Sequence, residues 1–238
     1  MSASPSRVAV IMPAAGSGRR FGSERNKLFA QLDGKPIWQQ TAEMLRRHPA
    51  VVRLVMPISD DDRDYFENEK SRVIEQLQIE IVRGGAERTD SVGSGLDHLA
   101  TDNDIDLVAI HDAARPLVHT DELQRVFEKA LQCGAAILAS PMTATVKQSL
   151  DQGSSCSTID RSILWMAQTP QVFKPDVLRQ AYKRHRGRPA TDDAELVSRT
   201  GVNVALVECS AENLKITHPG DLTVAEAIVQ SRKAKRDE

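Results

Sequence analysis

The sequence lacks the marks of several common protein classes. Its three cysteines, Cys133, Cys156 and Cys209, are far apart and have no paired spacing, which argues against a disulfide framework or a cysteine-rich zinc site. No apolar run approaches the roughly 18 residues that a bilayer span needs. The first residues, MSASPSR, contain no apolar signal segment. We therefore expect reduced thiols, no membrane contact and a cytoplasmic location.

A strong excess of charge is also missing. The chain has 33 acidic and 31 basic residues and a formal net charge of -2. A nearly neutral protein has no overall field that attracts nucleic acid or an anionic surface. We expect no nucleic-acid partner, and any phosphate binding has to come from a local cluster of cations.

Short runs rich in Val and Ile alternate with segments of helical period, which is typical of βαβ units. The 238 residues fit a single α/β domain. We predict a Rossmann-like fold whose mostly parallel, twisted sheet has helices on both faces. The expected strands are 7–13, 51–58, 79–84, 106–112, 135–141, 202–208 and 213–217; the expected helices are 37–48, 62–77, 91–100, 121–132 and one from about 218, with Thr120 as an N-cap and Gly134 as a C-cap.

One stretch breaks this alternation. Residues 143–173 contain two strand-like runs around the tip DQGSSCS, which predicts a projecting β-hairpin. We place this arm at about 143–168, inserted in a domain that spans 1–238. Isolated hairpins are marginal in water, so pairing with a second copy of the chain would stabilise the arm.

The loop after the first strand, PAAGSGRRFGSERNK, combines glycine with positive charge. Gly16 and Gly18 let backbone N–H groups approach an anion, and Arg19 and Arg20 add full charges. The third glycine of a dinucleotide loop is one position late, at Gly22, and the Walker pattern is absent. The loop suits a triphosphate, whose charges need cations along its length, although glycines after a strand also occur in loops without a function.

Two charged residues further along the chain allow two interpretations each. Asp112 ends a predicted strand, where it would either belong to a site or pair with Arg115 in a loop. Lys215 lies in the apolar run NLKIT, where it would either protect a sheet edge or reach a site. His111 precedes Asp112, but adjacent strand residues point to opposite faces and no G-x-S-x-G motif is present, so we do not expect a hydrolase triad.

Several motifs occur together in a specific order: PAAGSGRR, the later Lys27, GGAERTDSV, HDAARP, TIDR, QTPQ, ATDDAE and NLKIT. In this order they resemble 2-C-methyl-D-erythritol 4-phosphate cytidylyltransferases over nearly the whole chain. Cytidylyltransferases that use ribitol 5-phosphate are the nearest family with which they could be confused. One departure is that Asn26 precedes Lys27 where the family often has proline, and we expect a more mobile loop for that reason.

The resemblance implies a homodimer joined by the arms, in which a sugar-alcohol phosphate attacks the α-phosphorus of CTP with Mg²⁺ present. It implies catalytic roles for Arg20, Lys27, Arg161 and Lys215. It implies that CTP contacts Pro13, Ala14, Ala15, Gly16, Gly18, Gly84, Gly85, Ser91, Asp112 and Ala113. It implies that the acceptor contacts Asp112, Arg115, Thr145, Arg161, Thr169, Thr191 and Lys215, with Thr145 on the hairpin strand facing Arg161.

Asp112 is our candidate for a carboxylate that helps to place the metal ion. Three alternatives remain open at this point. The acceptor could be ribitol 5-phosphate; the chain could be a regulator that binds nucleotide without catalysis; or it could be a nicotinamide-dependent dehydrogenase.

Overall fold

The structure, a computed structural model, describes residues 6–16, 26–185 and 187–237. Its strands are β1 (Val8–Ile11), β2 (Gln31–Leu32), β3 (Lys35–Pro36), β4 (Val51–Ile58), β5 (Ile79–Arg83), β6 (Leu107–Ile110), β7 (Ala135–Pro141), β8 (Val146–Gln148), β9 (Ser157–Ile159), β10 (Trp165–Phe173) and β11 (Ala205–Glu208). Its α-helices are α1 (Ile37–Arg46), α2 (Ser71–Gln76), α3 (Arg88–His98), α4 (Thr120–Cys133), α5 (Pro175–His185), α6 (Asp193–Ser198) and α7 (Pro219–Asp237).

Seven of the described strands form one sheet in the order β11-β7-β10-β6-β1-β4-β5. Strand β10 runs antiparallel to both β6 and β7, whereas the pairs β1–β4, β1–β6, β4–β5 and β7–β11 are parallel. This confirms the predicted α/β fold with a mostly parallel sheet. Parallel strands need crossover connections, which α1, α3 and α4 supply.

The strands are apolar on both sides because helices cover both faces of the sheet. Val8 and Val10 of β1 belong to one buried cluster, which includes Trp38 of α1 and Phe127 of α4. Ala9, which lies between them in β1 and faces the other side of the sheet, belongs to a second cluster under α3, α5 and α6. In the described residues, no helix is long and apolar enough to cross a membrane.

The ends of α4 show one prediction confirmed and one wrong by a residue. Gly134 caps the helix with φ of 88°, a left-handed conformation that glycine adopts without strain. At the other end His119 is the N-cap and Thr120 is the first helical residue. Glu122 Oε2 accepts a hydrogen bond from the His119 backbone N–H at 2.9 Å. The carboxylate thus satisfies a backbone donor at the start of the helix, as in a capping box.

Two other predicted elements differ in the structure. Residues 213–217 form no strand; among the described backbone bonds, Ile216 N–H donates to Ala114 O at 2.9 Å. The predicted helix 62–77 is divided into a 3₁₀ turn, a π-helical turn (Tyr65–Glu69) and α2. The wider turn accompanies the packing of Tyr65 on Phe29, whose ring centroids are 4.0 Å apart. Helices α5 and α6 were not predicted.

The predicted hairpin is present but shorter than expected. Strands β8 and β9 pair in a separate two-stranded sheet, and the backbone N–H of Met142 donates to Leu164 O at 3.0 Å across its base. Residues from Trp165 onward are part of β10 in the central sheet. The arm therefore ends before residue 165 instead of at 168, because Met166 and Ala167 already pair with β7.

Helix α3 lies close to β1 at a glycine. A Cβ added to Gly95 would be 2.8 Å from Ile11 Cγ2, so Gly95→Ala is expected to destabilise the fold by about 1–3 kcal/mol through overpacking. Gly93→Ala on the same helix is the matched control, because its Cβ would be 3.9 Å from Tyr182 Cδ1. Chemical denaturation of both variants checks this, and equal stability of the two would contradict the close packing.

Candidate active site

A cleft of about 550 Å³ opens beyond the carboxyl ends of β1, β5 and β6. This edge is where open α/β sheets bind ligands. Its lining comes from five segments of the chain: Pro13, Ala14, Ala15 and Gly16; Lys27 and Leu28; Gly85, Ala86, Glu87, Arg88 and Ser91; Asp112, Ala113 and Ala114; and Lys215 and Thr217. Ten of the predicted site residues are in this set.

The loop after β1 forms the first wall. Met12 N–H donates to Val55 O at 2.8 Å and Ala14 N–H donates to Pro57 O at 2.8 Å, so the backbone continues along β4 before it leaves the sheet. Gly16 lines the cleft and has open space where a Cβ would be. The predicted site residues Gly18 and Arg20 lie outside the described residues.

Lys27 reaches the cleft from a short 3₁₀ turn whose cap is Asn26. The Asn26 side chain accepts from Leu28 N–H at 3.1 Å and donates to Asp62 Oδ2 at 2.9 Å. The ammonium of Lys27 donates to Ile216 O at 2.9 Å. Asn26 thus anchors the end of the loop through side-chain bonds that proline cannot make, and the mobility of the loop stays a prediction.

The opposite wall is the turn between β5 and α3. Gly84 N–H donates to Ile58 O at 2.7 Å, and a Cβ added to Gly84 would lie 2.5 Å from Ala15 Cβ. Gly84 therefore lets the two walls approach each other, although it does not line the cleft itself. Ser91 Oγ accepts from Gly85 N–H at 3.1 Å and donates to Glu87 O at 3.3 Å. A hydroxyl has two acceptor sites, so Ser91 keeps one for a ligand.

The electrostatic centre of the cleft is the buried carboxylate of Asp112. Lys215 Nζ is 2.9 Å from its Oδ2, Arg115 Nε is 3.5 Å from the same oxygen, and Arg88 Nε is 3.5 Å from Oδ1. Burial alone would raise the pKa of Asp112, but Lys215, Arg88 and Arg115 outweigh it and hold the pKa well below its usual range. Both interpretations of Asp112 hold in part, since it pairs with Arg115 and lines the cleft.

The segment that carries Lys215 is tied down beside the sheet. Asn213 Nδ2 donates to Thr169 O at 2.9 Å, and Arg115 Nη1 donates to Asn213 O at 2.7 Å. Because 213–217 is not a strand, Lys215 does not protect a sheet edge. It lines the cleft instead.

Thr169, which a cis peptide bond joins to Pro170, is buried behind Asp112. Its Oγ1 accepts from Asp112 N–H at 3.0 Å. His111 Nε2 is 3.0 Å from Arg115 O, an acceptor, so this nitrogen carries the proton. Burial lowers the pKa of His111 to about 4, so its Nδ1 accepts from the Thr169 hydroxyl at 3.2 Å. The Thr169 hydroxyl proton is thus already donated to His111, and a contact between Thr169 and the acceptor substrate stays a prediction.

The other predicted acceptor ligands are outside the cleft. Arg161 begins an exposed 3₁₀ turn (Arg161–Ile163) on the arm and its Nη1 donates to Thr143 O. Thr145 is exposed and precedes β8, so the two do not face each other on paired strands as we predicted. Thr191 donates its hydroxyl to Glu195 Oε2 at 2.9 Å. Arg115 is half-buried beside Asp112.

The described side chains do not form a preformed magnesium site. Mg²⁺ needs oxygen ligands with free lone pairs, whereas cations already face both oxygens of Asp112. In the described ranges, no group of three or more His, Cys, Asp or Glu side chains could hold a metal ion. Asp112 therefore fits a partner of lysine and arginine better than a metal ligand.

Sequence reasoning missed several residues of the cleft. The most informative is Arg88, which lies within the motif GGAERTDSV but was not among the predicted site residues. We predicted that helix α3 begins at residue 91, but it begins at Arg88, which places Arg88 one turn before Ser91. The other missed lining residues are Leu28, Ala86, Glu87, Ala114 and Thr217.

Comparisons with known proteins identify the family of this chain. Residues 8–231 match the family model described as IspD, 2-C-methyl-D-erythritol 4-phosphate cytidylyltransferase. The enzyme of that name from Rhodopirellula baltica is 50% identical in an alignment of 231 positions that covers 93% of this chain and 94% of that one. The one from Pelotomaculum thermopropionicum is 40% identical over 96% of this chain and 97% of its own.

A solved structure is similar over nearly the whole chain. The crystal structure of 2-C-methyl-D-erythritol 4-phosphate cytidylyltransferase from Thermus thermophilus aligns with a TM-score of 0.77 and 33% identity, covering 94% of this chain and 99% of that one. With the family model and the two relatives above, this confirms the resemblance. The chain belongs to the 2-C-methyl-D-erythritol 4-phosphate cytidylyltransferase family.

Proposed function

We propose that this chain transfers the cytidylyl group of CTP to 2-C-methyl-D-erythritol 4-phosphate. The products are 4-diphosphocytidyl-2-C-methyl-D-erythritol and pyrophosphate, in the non-mevalonate route to isoprenoid precursors. The observation that carries the proposal is that a single cleft joins Lys27 and Lys215 to the glycine and serine wall around Ser91. Such a cleft offers cations for phosphates on one side and hydrogen-bonding groups for a base on the other.

The reaction needs charge stabilisation more than covalent help from the protein. An oxygen of the acceptor's phosphate monoester attacks the α-phosphorus of CTP, and the bond from that phosphorus to the bridging oxygen of the β-phosphate breaks. Pyrophosphate leaves with the electron pair. Because two anions approach and a third departs, positioned cations lower the barrier by offsetting repulsion and holding the reactants in line.

The placement of the lysines supports distinct roles for them. Lys27 follows the glycine-rich loop, and the loop and Lys27 together would hold the triphosphate. Arg20 would also contact the triphosphate. Lys215 lies against Asp112 at 2.9 Å, at the junction where the α-phosphate and the acceptor phosphate would meet. Arg161 would bind the acceptor phosphate, for which a guanidinium offers a two-pronged contact.

A requirement for Mg²⁺ remains our expectation. Since the carboxylates in the described part of the chain form no site for the ion, the triphosphate oxygens of CTP would supply its ligands, with water completing the shell. The chain's own contribution is to hold the phosphates with Lys27 and Lys215.

We further propose a homodimer in which the arm of one chain completes the cleft of the other. The arm and the adjoining start of β10 expose large apolar side chains that the chain alone leaves uncovered: Leu150 at 92% and Ile163 at 75% on the arm, and Trp165 at 39% and Met166 at 38% on β10. Its two short strands bury little by themselves. Arg161 is on this arm, outside the cleft of its own chain, so a partner's cleft is a suitable place for it.

A cytoplasmic location is part of the same proposal. Cys133 and Cys156 are exposed free thiols, and Cys209 is a buried one. Unpaired exposed thiols are typical of proteins in reducing compartments.

Pyrophosphate release from CTP tests the acceptor. We expect turnover with 2-C-methyl-D-erythritol 4-phosphate, and at least about tenfold lower kcat/KM with ribitol 5-phosphate, since one misplaced hydroxyl contact costs about 1.4 kcal/mol or more. Faster turnover with ribitol 5-phosphate would overturn the assigned acceptor. CTP binding without turnover on either would overturn catalysis and favour a nucleotide-binding regulator.

A further inference from the structure

An ion-pair relay lies directly behind the cleft. Arg88, in the first turn of α3, has its Nε 3.5 Å from Asp112 Oδ1 and its Nη1 2.7 Å from Asp193 Oδ2. Asp193 is the first residue of α6 and its side chain is fully buried. Its other oxygen, Oδ1, accepts from the hydroxyl of Tyr182 on α5 at 2.5 Å. The relay thus connects three helices to the carboxylate at the centre of the site.

The surroundings of Arg88 and Tyr182 fix their protonation states. Burial would lower the pKa of Arg88, but Asp193 and Asp112 raise it above its usual range. Burial and then Asp193 raise the pKa of Tyr182, which therefore stays a hydrogen-bond donor. Arg88 consequently stays charged and Tyr182 stays neutral at physiological pH.

We propose that Arg88 is a positioning residue for the transfer reaction, held by Asp193, and that it orients Asp112 and through it Lys215. The inference rests on the function proposed above. With Arg88 at Oδ1 and Lys215 at Oδ2, the Asp112 carboxylate is fixed about its last torsion, and the ammonium of Lys215 is fixed with it. Arg88 also lies one helical turn before Ser91, so it links the nucleotide wall to the junction of the two substrates.

The guanidinium is needed for its shape as well as its charge. Its fork reaches two carboxylates at once, whereas an ammonium is a single point charge. Arg88→Lys keeps a cation for the buried Asp193 but cannot contact Asp112 in the same way. Small losses of alignment at a reacting centre have large effects on rate.

The test measures steady-state kinetics of Arg88→Lys with CTP and 2-C-methyl-D-erythritol 4-phosphate. We expect kcat to fall about 10- to 100-fold with less than about threefold change in KM for CTP, since a transition-state alignment is lost and not ground-state binding. Tyr182→Phe is the matched control: it removes a bond to Asp193 but leaves Arg88 in place, so its kcat should stay within about twofold of wild type at a similar loss of Tm.

Other results would overturn this proposal or the function on which it rests. Wild-type kcat in Arg88→Lys would overturn the proposal, and so would a tenfold rise in KM for CTP with kcat unchanged, which would make Arg88 a direct nucleotide ligand. If Arg88→Lys does not fold, the double variant Arg88→Gln with Asp193→Asn, which leaves no unpaired buried charge, has to show the same loss of kcat. An inactive wild type would instead overturn the proposed function.

Discussion

Lys27→Ala is expected to lower kcat/KM by about 10²–10³, the usual effect of removing one preorganised group that stabilises developing charge. Lys27 is half-buried and lines the cleft, and its Nζ donates to Ile216 O at 2.9 Å. An incoming phosphate would compete with that carbonyl for the ammonium. A hydrogen bond of this kind contributes about 1 kcal/mol to stability, so the loss of activity should far exceed the loss of folding free energy.

Lys35→Ala is the matched control for this variant. Lys35 Nζ is 2.7 Å from Glu43 Oε2 at the surface, and a surface ion pair of this kind contributes about 0–1 kcal/mol. The two alanine variants should therefore have similar denaturation midpoints and very different pyrophosphate release rates. A folded Lys27→Ala protein with near-normal turnover would remove this lysine from the mechanism.

Mixing two inactive variants should restore activity. If Arg161 acts in the partner's cleft, a heterodimer of Lys27→Ala with Arg161→Ala contains one site with both residues intact. Random exchange of equal amounts makes about half of the dimers heterodimers, so about a quarter of the wild-type rate should return, given a two-fold symmetric dimer. Pyrophosphate release after refolding the mixture measures this.

A second mixture serves as the control. Lys27 and Lys215 line the same cleft of the same chain, so a heterodimer of Lys27→Ala with Lys215→Ala has one damaged lysine in each site and should stay inactive. Recovery in this control, or its absence in the Arg161 mixture despite subunit exchange shown by a mass-tagged chain, would contradict a shared site.

Local periodicity was sufficient to predict six of the seven described strands of the central sheet because they are continuous apolar runs, whereas β10 was assigned to the hairpin region. The predicted 51–58 and 135–141 agree with β4 and β7 at both ends. The run 213–217 has a similar composition but forms no ladder, since side chains and loops take its polar groups: Lys27 bonds to Ile216 O and Asn213 bonds to Thr169 O. These contacts are between residues far apart in sequence, which local periodicity does not reveal.

The site could be predicted where a motif marks it and not where distant helices converge. The glycine turn and Ser91 were identified from GGAERTDSV, yet Arg88 in the same motif was missed because Glu87 is an unusual N-cap and did not mark the start of α3. The bond from Arg88 to Asp193 spans 105 residues. Buried pairs of this separation depend on how α3 and α6 pack on the sheet.

Strand direction determines the side of the sheet on which the arm emerges. Strand β10 runs against its neighbours, so it starts at the edge of the sheet where β1 and β6 finish. A chain segment inserted between the end of β7 and the start of β10 must therefore emerge on the catalytic side. The reversal of this one strand therefore places the arm on the same side of the sheet as the cleft.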